Sequence, residues 1–213
     1  MRLIDYNVQE FIDEVDSDSP APGGGSVSAL ASSLGVSLSR MVSHLTVGKK
    51  KYMELDEDVR KKYEQKFNYL QTIKNELIPL IDKDTKAFNR IMKSFKLPKS
   101  TDEEKKKRSE AIEDATIEAI KVPHEIARLS IKALETTEDL IKHGNKNAIS
   151  DIGVGALLLY AGLEGAILNV KINLGSLKDE DYIKRYQDYC EDVLKDARKI
   201  KDRILLRVHN EIS

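Results

Sequence analysis

The run Ser19-Pro20-Ala21-Pro22-Gly23-Gly24-Gly25-Ser26 holds the residue types in this chain best suited to chemistry. Three consecutive glycines stand between two prolines and a long small-residue segment with the pattern of a buried helix. Glycine loses more backbone entropy on folding than any other residue, so three in a row weaken a helix start. In return they offer backbone N–H groups with no side chain in front of them. The free N–H groups at the start of the next helix, and the positive end of its dipole, add to these. Such a surface favours an anion or a polar planar group. A hinge or a tight packing turn, with Ser26 as N-cap, accounts for the same residues.

Two further clusters carry polar groups where a simple bundle would not need them. Leu45-Thr46-Val47-Gly48-Lys49-Lys50-Lys51-Tyr52 follows the small-residue helix. Cations there complement a helix C-terminus, and they also suit a polyanionic ligand tail. Gly144-Asn145-Lys146-Asn147-Ala148-Ile149-Ser150-Asp151-Ile152-Gly153 leads into the most apolar stretch of the chain, with Asn169 and Asn173 further along. Asn147 and Asp151 are four apart and share a helix face. Capping explains one polar residue there, not several. Buried amides and carboxylates are costly unless bonded, so these residues mark a site or a structural hydrogen-bond network.

Several common motifs fail. A phosphate loop needs Gly five residues before Gly48-Lys49, where Ser43 stands. Gly153-Val154-Gly155 lacks the third glycine of a dinucleotide fingerprint, since position 158 is Leu158. His124-Glu125 has Arg128 where a zinc-protease helix needs His. The four histidines are scattered, which argues against a metal site. Cys190 is the one cysteine, so no disulfide forms within the chain, and it reads as a half-buried packing residue.

The elements that must position these groups are helices. The chain has 213 residues, and 1–213 reads as a single domain with enough length for a sizeable core. It carries 35 Lys plus Arg against 36 Asp plus Glu, and this balance excludes a bulk electrostatic pull toward nucleic acid. The N-terminal residues lack the apolar core of a signal peptide, and a cytoplasmic location is the default expectation. Ile152 to Val170 is apolar enough to suggest a membrane span. Glu164 near its middle would cost about 2.5–3.5 kcal/mol in a bilayer, so a central helix of a soluble bundle is expected, without membrane contact.

Apolar spacing predicts an all-α bundle of about six helices. They cover Leu3 to Val15, Ser26 to Val47, Leu55 to about Phe95, Thr101 to about His143, Asn147 to Leu174 and Asp179 to about Asn210. Pro79 and Pro123 should kink the two longest. Thr101-Asp102-Glu103-Glu104 has the cap and first-turn acids of a helix start. Small-residue faces, Ala29, Ser33 and Ser37 on one helix and Gly155, Gly162 and Ala166 on another, support close helix contact.

The ordered series PAPGGGS, LTVGKKKY, Asp82-Lys83-Asp84 before Ala87-Phe88, KLPK, GNKNAISDIGVGALLL and NVKINL resembles the cyclodeaminase/cyclohydrolase family across nearly the whole chain. That family includes the C-terminal domain of formiminotransferase-cyclodeaminase and stand-alone methenyltetrahydrofolate cyclohydrolases. The resemblance implies an all-helical homodimer with its folate site in a cleft at the subunit interface. It implies an enzyme of one-carbon metabolism acting at the N5/N10 bridge of tetrahydrofolate. Cyclodeaminase action closes the ring of 5-formimidoyltetrahydrofolate and releases ammonia; cyclohydrolase action opens 5,10-methenyltetrahydrofolate to 10-formyltetrahydrofolate. It calls for no metal and no cofactor beyond tetrahydrofolate, with one glutamate or a polyglutamate tail, as substrate and carrier. The chain is too short to include a formiminotransferase domain, so histidine degradation and stand-alone one-carbon metabolism both fit.

Asp151 and Asp84 are the implied acid/base or cation-holding groups, with Lys50 for proton transfer or the glutamate tail. Gly23, Gly24, Gly25 and Ser26 would present donors to pterin or carboxylate. Lys49 and Lys51 would hold the tail, and Asn145 and Asn147 the pterin edge. A non-catalytic helical dimer that binds folate or another anion keeps the same loop and lysines and is the competing expectation.

Overall fold

The computed structural model describes residues 1–213. A 3-10 turn at Leu3–Asp5 precedes α1 (Val8–Val15), α2 (Gly24–His44), α3 (Lys50–Met53), α4 (Glu57–Phe95), α5 (Asp102–Leu140), α6 (Ile149–Leu174) and α7 (Glu180–Ile212). The expected all-α fold is present, with boundaries that differ for local reasons. The first expected helix is divided because Asn7 caps α1 in a reciprocal box with Glu10. Thr101 and Glu104 form the same box at the start of α5. The lysine run forms the short α3, which apolar spacing did not reveal. Helices α4 and α5 run through Pro79 and Pro123 without interruption.

α2 lies at the centre, against α4, α5 and α6. Its serines explain how so polar a helix is buried. Ser28, Ser33, Ser39 and Ser43 each donate to the carbonyl four residues back. Such back-bonding satisfies a hydroxyl without an outside partner. Ser32 and Ser39 also meet Ser130 and Thr137 of α5 at 2.7 and 2.9 Å. Around this polar spine, Leu70, Ile73 and Leu77 of α4, Ile126 and Leu134 of α5, and Leu159, Leu163 and Ile167 of α6 form the core. Cys190 is buried on α7, and burial pushes its thiol pKa up, as suits a packing residue rather than a nucleophile.

α2 and α6 run antiparallel and nearly backbone to backbone. A Cβ on Gly162 would come within 2.1 Å of Ser32 Oγ and 2.6 Å of the Ser28 carbonyl oxygen. The carbonyl cannot rotate away, so a side chain forces the helices apart. We expect Gly162→Ala to cost about 2–3 kcal/mol. That lowers Tm by roughly 5–10 °C in a chain of this size; calorimetry would measure it, and an unchanged Tm would refute this close contact.

α6 is long and apolar enough to cross a membrane, but half of its most apolar window is buried within the chain. The rest forms an exposed stripe of Val154, Leu157, Leu168 and Ile172, the last two 63 % and 75 % exposed. Val27, Leu34, Met41 and Leu45 form a matching exposed stripe on the neighbouring α2.

Candidate functional site

The two ends of α2 hold two separate groups of the expected residues. At the N-terminal end, Gly23 rather than Ser26 is the N-cap, and Gly24 and Gly25 lie inside the first turn. The glycines therefore form the helix start itself and not a loop ahead of it. No cap side chain comes from Gly23. Instead Asp84, projecting from α4, lies over this end. A Cβ on Gly25 would fall 2.0 Å from Asp84 Oδ1, so only glycine leaves the carboxyl its place.

Ser26 is fully buried and ties the corner together. Its hydroxyl donates to the Ile81 carbonyl at 2.7 Å and reaches Asp84 Oδ2 at 3.3 Å and Thr85 Oγ1 at 3.1 Å. Burial raises the Asp84 pKa above the usual carboxylate value, and the Ser26 hydroxyl and amide offset only part of this. A carboxyl poised in this way can take up and return a proton. Asn169 of α6 completes the corner, its Nδ2 lying 3.0 Å from where a Gly24 Cβ would stand and donating to the Gly165 carbonyl at 2.8 Å.

Thr85 was not among the expected site residues, and Asn169 was expected only as a polar residue of a site or a structural hydrogen-bond network, with no role. Asn169 lies in the NVKINL segment and was visible as an amide on an apolar helix. Nothing in the spacing of Thr85 marks it. Asp82, two residues before Asp84, anchors the N-terminal segment to α4. It is only 9 % exposed, and its Oδ1 accepts the Leu3 N–H at 2.7 Å.

Lys49, Lys50, Lys51, Asn145 and Asn147 meet at the other end of α2, in a cleft of about 430 Å³ also lined by Lys142 and Lys146. With 21 residues in α2, this lies about 30 Å from the glycine end. Lys146 pairs with Glu211 and Lys142 with Asp139, while the lysine run has no ion pair. The cleft contains no carboxylate among its lining residues and suits an anion.

Asn145 is largely committed within the chain. Its Oδ1 accepts the Asn147 N–H at 3.0 Å, its Nδ2 donates to the Leu45 carbonyl at 3.1 Å, and its own N–H donates to Thr46 Oγ1 at 2.9 Å. These bonds tie the turn before α6 to the end of α2, which explains the residue structurally. Asn147 is exposed, and Asp151 is half-buried in the first turn of α6 near this end. Asp84 and Asp151, the two expected acid/base or cation-holding groups, are thus separated within the chain.

The family model described as Formiminotransferase-cyclodeaminase matches residues 7–192. A protein of Methylorubrum extorquens named methenyltetrahydrofolate cyclohydrolase is 34% identical over 206 residues, covering 97% of each chain. The formimidoyltransferase-cyclodeaminase of Rattus norvegicus is 32% identical over 92% of this chain, which spans 36% of that longer protein. The crystal structure of formiminotetrahydrofolate cyclodeaminase from Thermotoga maritima superposes with a TM-score of 0.84 at 28% identity, covering 98% of both chains. The match over residues 7–192, together with the end-to-end similarity to these relatives, shows that this chain belongs to the formiminotransferase-cyclodeaminase family.

Proposed function

We propose that this chain acts at the N5/N10 bridge of tetrahydrofolate as a methenyltetrahydrofolate cyclohydrolase. The observation that carries this reading is the half-buried Asp84 carboxyl over the first turn of α2. The end-to-end likeness to a protein of that name supports it. The methenyl bridge is cationic, so an ionised carboxyl beside it holds the substrate, and its contribution to rate is as the base for the attacking water. Asp84 takes the proton as water adds to the bridge carbon. The carbon–N5 bond then breaks, the added hydroxyl becomes the formyl carbonyl, and N5 is protonated. One proton leaves overall.

The formiminotetrahydrofolate cyclodeaminase from Thermotoga maritima, similar over 98% of both chains, favours a second reading. There N10 attacks the formimidoyl carbon, Asp84 accepts the N10 proton, and the departing nitrogen leaves protonated as ammonia. Following methenyl absorbance separates the two. Loss of 5,10-methenyltetrahydrofolate faster than in buffer marks the cyclohydrolase. A rise only from 5-formimidoyltetrahydrofolate, with ammonia released, marks the cyclodeaminase. Neither change from folded protein would leave a folate- or anion-binding dimer.

The separation along α2 has a resolution in a second copy of the chain. Val27 and Met41 stand equally far before and after Leu34 on the exposed stripe. A two-fold axis at Leu34 packs α2 antiparallel on its mate, Val27 against Met41, as a self-complementary interface requires. This places the glycine corner of one subunit beside the lysine end of the other. In this homodimer Asp84 acts on the bridge while the partner's Lys49, Lys50 and Lys51 hold the glutamate tail, single or polyglutamylated.

A further inference from the structure

α1 is a helix without a place in its own subunit. It spans Val8–Val15 and buries none of its residues. Val8, Ile12 and Val15 form one apolar stripe and are 79 %, 55 % and 37 % exposed, while Phe11 alone leans on the core. Eight residues are too few to hold a helix in water on local energies, even with a capping box. The segment is fixed at both ends, by the Leu3 N–H on Asp82 and by the buried Pro22 before the glycine corner. Its outward face is therefore presented, not trailing.

Charge indicates the surface that receives it. From Leu3 through Ser39 there is no lysine or arginine, while Glu10, Asp13, Glu14, Asp16 and Asp18 follow one another in and after α1. The opposite composition occurs at the far end of α2, where the unpaired lysine run lies beside exposed Leu45 and Met53. Within a subunit these surfaces are separated by the length of α2. The two-fold axis at Leu34 sets residues just before Gly23 of one chain alongside residues just after Leu45 of the other.

We propose that α1 is an exchanged arm: it crosses the dimer interface and docks its apolar stripe on Leu45 and Met53 of a second copy, with its carboxylates flanking that copy's lysine run. The arm forms an outer wall of the lysine cleft, and its carboxylates compete with the anionic tail proposed above for the same lysines, so each site's hold on that tail depends on the partner's N-terminus. This inference rests on the dimer proposed above, and the two are tested separately.

Hydrogen exchange of residues 8–15 is followed in the wild-type protein and in Leu34→Asp, with light scattering to fix the mass of each. The arm requires α1 amides to exchange at least about tenfold faster in monomeric Leu34→Asp than in the dimer, with core amides of α4 and α5 still protected. Equal exchange of α1 in dimer and monomer overturns the arm while the dimer stands. A monomeric wild type overturns both. A second measurement does not rely on dissociating the dimer. In a Cys190→Ala background, Ile12→Cys with Met53→Cys should oxidise to a covalent dimer on a denaturing gel. An intrachain disulfide, or none, from a protein of dimer mass overturns the arm.

Discussion

Gly25→Ala is expected to remove most of the turnover while leaving the bundle folded. The new Cβ would stand 2.0, 2.4 and 2.5 Å from Oδ1, Cγ and Oδ2 of Asp84, so the carboxyl must swing away. A short side chain can do so at modest cost. Alanine is also the better helix former by about 1 kcal/mol. Stability should therefore change little, while kcat/KM falls with the loss of a positioned acid/base, about 10²–10⁴-fold. Asp84→Asn should cause a similar fall by removing the proton acceptor in place.

The two variants part in their effect on stability. Burial raises the Asp84 pKa, so the folded state favours the neutral carboxyl. Its contribution is fully present below the unfolded pKa and is lost as pH rises through the higher folded one. At neutral pH the native protein thus bears the cost of an ionised Asp84, and Asp84→Asn should melt higher than wild type. That gain should vanish in acid, where the carboxyl is neutral in both states. For the wild type, kcat/KM should rise with pH through this same raised pKa if Asp84 acts as base. Full activity in both variants would place the chemistry elsewhere.

Mixing two inactive proteins is expected to restore activity. Asp84→Asn is defective at the glycine corner, and the triple variant Lys49→Ala, Lys50→Ala, Lys51→Ala at the opposite end of α2. If each site draws on both subunits, a heterodimer has one site with both defects and one with neither. Random exchange of equal amounts makes half of the dimers mixed, so about a quarter of wild-type activity should return. The assay follows methenyl absorbance after dissociation and reassociation of the pair. Sites contained within single subunits would give no recovery. A triple variant as active as wild type would remove the lysine end from the site.

The sequence disclosed these groups with uneven clarity, and the reasons are physical. Helix periodicity is a local signal, so α4, α5 and α6 were readable within a few residues. The capping box at Thr101 was readable too, since all its atoms lie within one turn. α3 was hidden because four residues with two lysines carry no apolar period. Asn145 looked like a ligand because an amide beside an apolar helix is unusual. Its bonds to Leu45 and Thr46 are about a hundred residues distant in the chain and leave no trace in local spacing.

By itself the sequence determined the helical class, the membership suggested by its ordered motifs, and the residue types available for chemistry. These follow from composition and from spacings shorter than two helical turns. Only the tertiary structure decided which of those residues meet. It placed Asp84 on the first turn of α2, because Gly25 has no side chain to exclude the carboxyl. It also held the lysine run at the other end, because a helix of 21 residues is a rigid spacer. Contacts between residues remote in the chain depend on packing, and no local pattern encodes them.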